Sequence, residues 1–280
     1  MSTIHDRMKH NYEEVSKYRL TRRTPVIIRL DGKAFHTFTK GFKRPYDEIF
    51  HEAMNKTMKY LCENIQGCKI GYTQSDEITL LLTDFDTLTS DAWFDYEVQK
   101  LCSISASMAT LVFNKVFKAR ASLYINTAYT LCEQISEEDR KYIDTLMQAF
   151  DRAMFDARCF NIPEDEVVNC FIWRQQDATR NAIQMLGQAH FSAKELKGKK
   201  NDQIQDMLMT QKNINFNDMP TEFKRGVCCR KVDACKPKIA GDKDSGIDLS
   251  TKRQVWYIDK EIPIFTQDRN YISKHMIKEN

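Results

Sequence analysis

The sequence of 280 residues has no long apolar run and no marked excess of either charge. No stretch approaches the roughly 18 apolar residues of a membrane helix, and Met1 to Tyr12 lacks the apolar core of a signal peptide. We therefore expect a cytoplasmic protein without a membrane partner. Lys and Arg number 42 against 39 Asp and Glu, and this net charge of +3 identifies no nucleic-acid partner by itself. A hydrophobic content of 42% supplies a core and excludes wholesale disorder.

Cysteine spacing fits neither a disulfide framework nor the usual zinc pattern. The nine cysteines are odd in number and scattered from Cys62 to Cys235, whereas disulfide-rich domains space them densely. Cys228, Cys229 and Cys235 form one close group, but no pair has the Cys-x-x-Cys spacing of a tetrahedral zinc site. We expect reduced thiols and no zinc.

Hydrophobic periodicity predicts alternating strands and helices over residues 1–190. Strands are predicted at Pro25 to Leu30, Lys69 to Tyr72, Ile78 to Thr83 and Phe155 to Phe160. Helices are predicted from Asp47 up to Gly67, from a Ser90-Asp91 cap to about Lys118, and from Asp165 to His190. An inserted piece near 118–150 would contain a strand at Leu123 to Leu131 and a helix at Glu137 to Met154. Without it the order is βαββαβ, an α+β, ferredoxin-like polymerase palm whose antiparallel sheet has both helices on one face.

The composition changes after residue 190. Lys194, Lys197, Lys199 and Lys200 lie close together, and further Lys and Arg residues follow. A polar loop is predicted at Gly241 to Ser250, before a last strand at Val255 to Ile258. We therefore divide the chain into a palm-like catalytic domain, 1–190, and a basic C-terminal α/β extension, 191–280.

Two acidic residues are expected to meet at one edge of the sheet. Asp31 follows the first strand, and Asp76 lies in the polar connection between the second and third strands. Two unpaired carboxylates repel each other, and Mg²⁺ relieves the repulsion, while Gly32 lets a metal approach its carbonyl. Two metal ions bridging a nucleoside triphosphate are the natural use of such a site. The alternative is an ordinary Asp-Gly turn and a polar hairpin tip.

Four separated motifs carry a more specific signal. They are Arg29-Leu-Asp-Gly-Lys-Ala-Phe-His36, Gly71-Tyr-Thr-Gln-Ser-Asp-Glu77, Phe171-Ile-Trp-Arg-Gln-Gln-Asp177 and Ile262-Pro-Ile-Phe-Thr266. In this order the chain resembles the tRNA(His) guanylyltransferase family, the 3′–5′ RNA polymerases, from about Met8 to Ile272. The resemblance implies Mg²⁺-dependent nucleotidyl transfer to the 5′ end of tRNA, ATP and GTP as substrates, two metal ions and a homotetramer.

The resemblance also implies roles for single residues. Asp31, Gly32 and Asp76 match the metal ligands, and Glu77 is the neighbouring acid of the catalytic set. The family's nucleotide-binding positions correspond to Asp31, Gly32, Lys33, Ala34, Phe35, His36, Ser75 and Asp76, with Arg29, Arg44, Lys100 and Arg158 near the triphosphate. Each cation would also suit a plain surface, and His36 would also suit a half-buried position. Arg29 lies in an apolar strand and needs a partner if it is buried.

RNA contacts are expected from the long helix and the basic region. Asp177 and Asn181 fall in the family's long-helix motif near the RNA end. Lys194, Lys199 and Lys200 are predicted to contact the tRNA backbone. A solvated charged surface is the alternative for both sets. Trp173 is expected in the core rather than as a platform for a base.

One departure from the family pattern selects a branch. Eukaryotic enzymes dedicated to tRNA(His) continue their Trp-Arg-Gln-x-Asp with His-Ile-Asn-Asn-Leu-Tyr-Asn, whereas this chain has Thr179-Arg-Asn-Ala-Ile183. It is more similar to the guanylyltransferase-like branch, which restores missing 5′ nucleotides of tRNA by templating. We therefore expect activation of the 5′ end by ATP and template-dependent addition of nucleotides. The alternatives are non-templated guanosine addition to tRNA(His), a nucleotidyl cyclase, and a non-catalytic RNA-binding protein.

Overall fold

A six-stranded antiparallel sheet forms the centre of the protein in a computed structural model that describes residues 3–131, 135–234 and 253–276. The strands are β1 (Val26–Gly32), β2 (Cys68–Gln74), β3 (Glu77–Leu82), β4 (Phe155–Asn161), β5 (Val227–Ala234) and β6 (Arg253–Asp259). Their order is β4-β1-β3-β2-β5-β6. The first four strands in this order have the arrangement of the predicted palm, and the α+β fold is confirmed.

Ten α-helices surround the sheet within the described ranges. They are α1 (Ile4–Met8), α2 (Phe35–Phe38), α3 (Glu48–Asn64), α4 (Val98–Leu131), α5 (Glu137–Gln148), α6 (Glu164–His190), α7 (Ala193–Leu196), α8 (Asn201–Lys212), α9 (Thr221–Arg225) and α10 (Asn270–Ser273). No described helix is long and apolar enough to cross a membrane.

Alternation along β1 divides the core between the two faces of the sheet. Val26, Ile28 and Leu30 pack with α3 and α4 on one face, which confirms that these two helices share a face. Ile27 points to the other face, where it packs with Phe171 of α6. The sheet is therefore covered on both sides, and Asp31 and Gly32 lie at the C-terminal end of the interior strand β1.

The structure corrects the prediction for the segment from Ser90 to Leu131. Helix α4 begins at Val98 rather than after a Ser90-Asp91 cap, because a 3₁₀ turn at Trp93–Tyr96 lies between them. The strand predicted at Leu123 to Leu131 is wrong, since α4 continues through it to Leu131. Buried residues at spacings of four (Phe113, Phe117 and Ala121) keep this part of the chain helical against the core.

Two further boundaries differ from the sequence prediction. The connection between β2 and β3 is the two-residue turn Ser75-Asp76, because Gln74 already pairs with Glu77. The helix predicted to end at Met154 ends at Gln148 as α5.

The C-terminal region contributes two strands to the same sheet. Strand β5, which the sequence pattern did not predict, pairs with β2, and β6 contains the predicted strand Val255 to Ile258. Cys228 and Cys229 are buried in β5. The predicted loop Gly241 to Ser250 and Cys235 lie outside the described residues. The division into domains at residue 190 remains a prediction.

A buried carboxylate fixes the segment that precedes β1. Asp84 Oδ2 accepts a hydrogen bond from Arg22 Nε at 2.7 Å, and Asp84 Oδ1 accepts one from the Arg23 backbone N–H at 2.9 Å. The Asp84 side chain has no exposure, whereas Asp91, 3.7 Å from the same arginine, is 82% exposed. Asp84 therefore sets the start of β1, and with it the position of the residues at the other end of the strand.

Replacement of Asp84 by Ala should lower the free energy of unfolding by about 3 kcal/mol, because Arg22 and a backbone N–H lose a buried partner. The matched change Asp91→Ala removes an exposed partner of the same arginine and should cost less than about 0.5 kcal/mol. Urea denaturation measures both values. Equal losses in the two variants would contradict the anchoring role of Asp84.

Candidate active site

The end of β1 lies against the turn between β2 and β3. Asp31 pairs in register with Glu77, and the Gly32 backbone N–H donates to the carbonyl oxygen of Asp76 at 3.1 Å. Ser75 adopts a left-handed conformation with φ 52°, and its hydroxyl donates to Asp76 Oδ1 at 3.1 Å. The structure thus brings Asp31 and Asp76 to the same edge of the sheet, as the sequence indicates.

Burial disfavours the charged form of both carboxylates. Burial raises the pKa of Asp76 to about 6, and the nearby Asp31 adds to the rise. Burial also raises the pKa of Asp31, with Glu77 and Asp156 adding repulsion. Arg158, whose Nη2 lies 3.8 Å from Asp31 Oδ2, and Arg29 oppose this rise in part. The edge is therefore an incompletely neutralised pair of hard oxygen donors.

A divalent cation fits this pair. Mg²⁺ prefers carboxylate, carbonyl and water oxygens and usually keeps positions open for phosphate. Within the described part of the chain, no group of three or more His, Cys, Asp or Glu side chains is arranged to hold a metal. A cation at Asp31 and Asp76 would therefore complete its shell with backbone, water or nucleotide oxygens.

Glu77 is engaged by two arginines. Its Oε2 accepts hydrogen bonds from Arg29 Nη2 at 3.0 Å and from Arg174 Nη1 at 2.7 Å. Arg29 is 14% exposed, so this largely buried arginine in the apolar strand has the partner it requires. The sequence analysis does not include Arg174 among the site residues, although its position in the Trp-Arg-Gln motif indicates a role in the site. Trp173 is 47% exposed rather than part of the core, because its ring stacks with the Arg174 guanidinium at 3.7 Å.

A pocket of about 440 Å³ opens beside Asp76. Its lining includes seven sequence-predicted residues: Gly32, Ala34, Phe35, His36, Arg44, Ser75 and Asp76. Gly32 is required here, since a Cβ would lie 2.3 Å from the buried ring of Phe35. The volume is in the range of small-molecule sites.

The remaining predicted nucleotide residues are not part of the pocket lining. Arg29 faces Glu77, and Arg158 lies beside Asp31. Lys33 lines a neighbouring groove. Lys100 is exposed and lies 3.5 Å from Glu97. His36 is exposed, so the half-buried alternative for it is wrong.

The predicted RNA-binding residues lie on α6 and in the basic region after it. Asp177 contacts Arg174 at 3.3 Å and also Arg180. Asn181, Lys194, Lys199 and Lys200 are exposed. Their role in RNA binding remains a prediction.

The pocket also contains residues that the sequence reasoning missed. His51 stacks on Tyr46 with ring centroids 3.9 Å apart, and burial lowers the pKa of His51 to about 3, which keeps it neutral. Asp47 caps α3 and accepts from the Tyr142 hydroxyl at 2.7 Å. The cap pattern before α3 was a signal for Asp47. Glu222 and Phe223 of α9 close the far side, and no local motif indicates contacts across so much sequence.

Comparison with known proteins extends this picture. The sequence model of the family Thg1, tRNA(His) guanylyltransferase, matches residues 5–163. An uncharacterized protein of Acanthamoeba polyphaga mimivirus is 32% identical over 238 residues, covering 81% of this chain and 77% of that protein. A probable tRNA(His) guanylyltransferase of Dictyostelium discoideum is 26% identical over 243 residues, covering 82% of each chain.

Solved structures agree along the whole chain. A bacterial tRNA(His) guanylyltransferase-like protein in complex with ATP superposes with a TM-score of 0.78 and 41% identity, covering 98% of this chain and 99% of the other. Such a protein in complex with GTP gives a TM-score of 0.74 and 37% identity, covering 99% and 100%. Together with the carboxylate edge and its pocket, these matches show that the chain belongs to the tRNA(His) guanylyltransferase family of nucleotidyltransferases.

Proposed function

We propose that the protein is a template-dependent 3′–5′ polymerase that restores missing nucleotides at the 5′ end of tRNA. In this reaction ATP activates the 5′ end, and an incoming nucleoside triphosphate is then added to it. The observation that carries the proposal is the Asp31 and Asp76 edge beside a pocket of about 440 Å³. The ATP and GTP held by similar bacterial proteins support a nucleoside triphosphate as its occupant.

Asp31 and Asp76 are the proposed metal ligands, together with the Gly32 carbonyl. When bound, two Mg²⁺ ions would supply charge neutralisation between carboxylates and triphosphate and lower the pKa of the attacking hydroxyl. The carboxylates therefore hold metal and need not act as bases. Glu77 then has a positioning role, because its Oε2 is already shared by Arg29 and Arg174.

Cations on the pocket rim are the proposed partners of the triphosphate. Arg44 is exposed and lines the pocket, so its guanidinium is free to meet phosphate oxygens in a bidentate manner. Arg158 would add positive charge near Asp31, and Lys100, which lies beside Glu97, is proposed for the triphosphate only through the family resemblance. The exposed lysines Lys194, Lys199 and Lys200 are proposed to hold the tRNA backbone. The homotetramer and the cytoplasmic location also remain predictions.

The position of the motif departure supports repair rather than guanosine addition to tRNA(His). Thr179 to Ile183 lies in α6, and Ala182 within it lines the pocket. The segment that differs from the dedicated enzymes is therefore a wall of the proposed nucleotide site. The 41% identity to a bacterial guanylyltransferase-like protein over 98% of the chain points to the same branch.

The direct test is 5′ extension of a 5′-truncated tRNA transcript with Mg²⁺, ATP and GTP. We expect extension that stops when the template is complete and that follows the opposite nucleotide when the template base is changed. Asp76→Asn should lower the rate at least about 100-fold, because one of two metal ligands is lost. Asp156→Asn, which removes a carboxylate near Asp31 that is not a proposed ligand, should retain activity.

Other outcomes identify the alternatives. Guanosine addition only to full-length tRNA(His) would contradict the repair function. A cyclic nucleotide formed without RNA would indicate a cyclase, and tRNA binding without any turnover would indicate a non-catalytic binding protein.

The raised pKa of Asp76 predicts a pH dependence of metal binding. Because the carboxylate must be ionised to bind Mg²⁺, and its pKa in the folded protein is about 6, protons compete with metal below that value. The apparent Mg²⁺ affinity should fall about tenfold from pH 7 to pH 5. Calorimetric titration measures it, with Asp76→Asn as the variant that loses the dependence. An affinity unchanged across this range would contradict the assignment of Asp76.

A further inference from the structure

A pair of cysteines lies where helix α4 meets strand β4, outside the nucleotide pocket. Cys102 Sγ donates to Cys159 Sγ at 3.6 Å, although the two residues are 57 positions apart. The Cys159 thiol is directed to the Val98 carbonyl oxygen at 3.9 Å. Since a disulfide has a sulfur–sulfur distance of about 2.05 Å, side-chain rotation and a small shift of α4 or β4 would close the gap.

Accessibility distinguishes this pair from the other close thiols of the described chain. Cys62, Cys68 and Cys229 lie together in the core and are at most 5% exposed. Cys102 and Cys159 are both half-buried, so a small oxidant reaches them from solvent. An oxidant should therefore act first at the junction of α4 and β4.

We infer that Cys102 and Cys159 form a reversible disulfide when the protein meets hydrogen peroxide, and that this bond slows nucleotidyl transfer. The Cys102 thiolate attacks peroxide, which forms a sulfenic acid and releases hydroxide. The Cys159 thiol then attacks the Cys102 sulfur; the S–S bond forms, the S–O bond breaks, and the departing hydroxide takes the Cys159 proton as water. The hydroxide from the first step takes the proton that Cys102 lost on ionisation. Two thiols are oxidised, and one peroxide is reduced to two waters.

The order of these steps follows from the environments of the two thiols. Burial, with the neighbouring Cys102, raises the pKa of Cys159 to about 12, so Cys159 is the poorer initial nucleophile. Contact with the sulfur of Cys102 nevertheless places it to resolve a sulfenic acid there. A reducing thiol reverses the bond by exchange.

The position of the bond explains its effect on the site, and this part rests on the proposed function. Cys159 pairs with Ile28 on β1, and the Nη2 atom of the preceding residue, Arg158, lies 3.8 Å from Asp31 Oδ2. Closing the sulfur gap draws α4 and β4 together, beside the strand that carries Asp31. A displacement of about 1 Å at a catalytic site lowers rates by up to about 100-fold.

The test treats the reduced protein with hydrogen peroxide and identifies linked peptides by mass spectrometry. We expect a link between Cys102 and Cys159, its loss on reduction or in Cys102→Ala, and its retention in Cys170→Ala, which removes another thiol. The melting temperature should rise by about 5 °C in the linked protein, because the bond closes a long loop. The rate of 5′ extension should fall about tenfold and recover on reduction.

Three results would overturn the inference. They are no linked peptide, a link within the buried group Cys62, Cys68 and Cys229, or irreversible oxidation of Cys102 alone. A link that leaves the extension rate unchanged would overturn the regulatory effect. If the reduced protein shows no extension at all, the proposed function fails, whereas the peptide and melting measurements still decide the disulfide.

Discussion

Burial of two neighbouring carboxylates, Asp31 at the end of β1 and Asp76 in the turn between β2 and β3, is the constraint on which the site depends. Antiparallel pairing holds Asp31 on β1 next to the Ser75-Asp76 turn, where Arg158 and Arg29 offset the charge of Asp31 in part. Burial raises the pKa of Asp76 to about 6, so at neutral pH the fold holds two charges that it neutralises only in part. A divalent cation removes that cost, which is why the arrangement suits metal-dependent phosphate chemistry.

Other parts of the structure keep this edge in place. Asp84 fixes the segment before β1, and the pairing of β1 with β3 then determines where Asp31 lies. Glu77 lies opposite Asp31 but is taken up by Arg29 and Arg174, which limits the negative charge at the edge. Gly32 allows the aromatic packing of Phe35 beneath the pocket, so one residue serves both the fold and the site.

The sequence predicts those strands and helices whose formation is decided by local patterns. The strand before Asp31-Gly32, the helix after Asp47 and the helix before His190 follow from periodicity and caps, and the structure confirms them. The sequence wrongly predicts a strand after Lys118, where α4 continues. The weak alternation there does not reveal the core contacts that keep this segment helical. The spacing of Asp31 and Asp76 alone fits either a metal site or an ordinary turn. The resemblance to a known family favours the metal site.

Long-range contacts account for what local patterns missed. The joining of β5 to β2, the approach of Glu222 to the pocket and the bond from Arg174 to Glu77 all connect distant parts of the chain. None of these contacts has a signal at the spacing of a helix, strand or turn. They become visible only once the sheet order is known.

Asp76 carries a raised pKa, and a divalent cation bound to it should lower that pKa. Carbon-13 NMR of the Asp76 carboxyl group, titrated with acid without and then with Mg²⁺ and ATP, tests it directly. The account predicts a midpoint near pH 6 in the metal-free protein and a clearly lower midpoint with Mg²⁺. An ordinary aspartate midpoint without metal, or a midpoint that Mg²⁺ leaves unchanged, would contradict it.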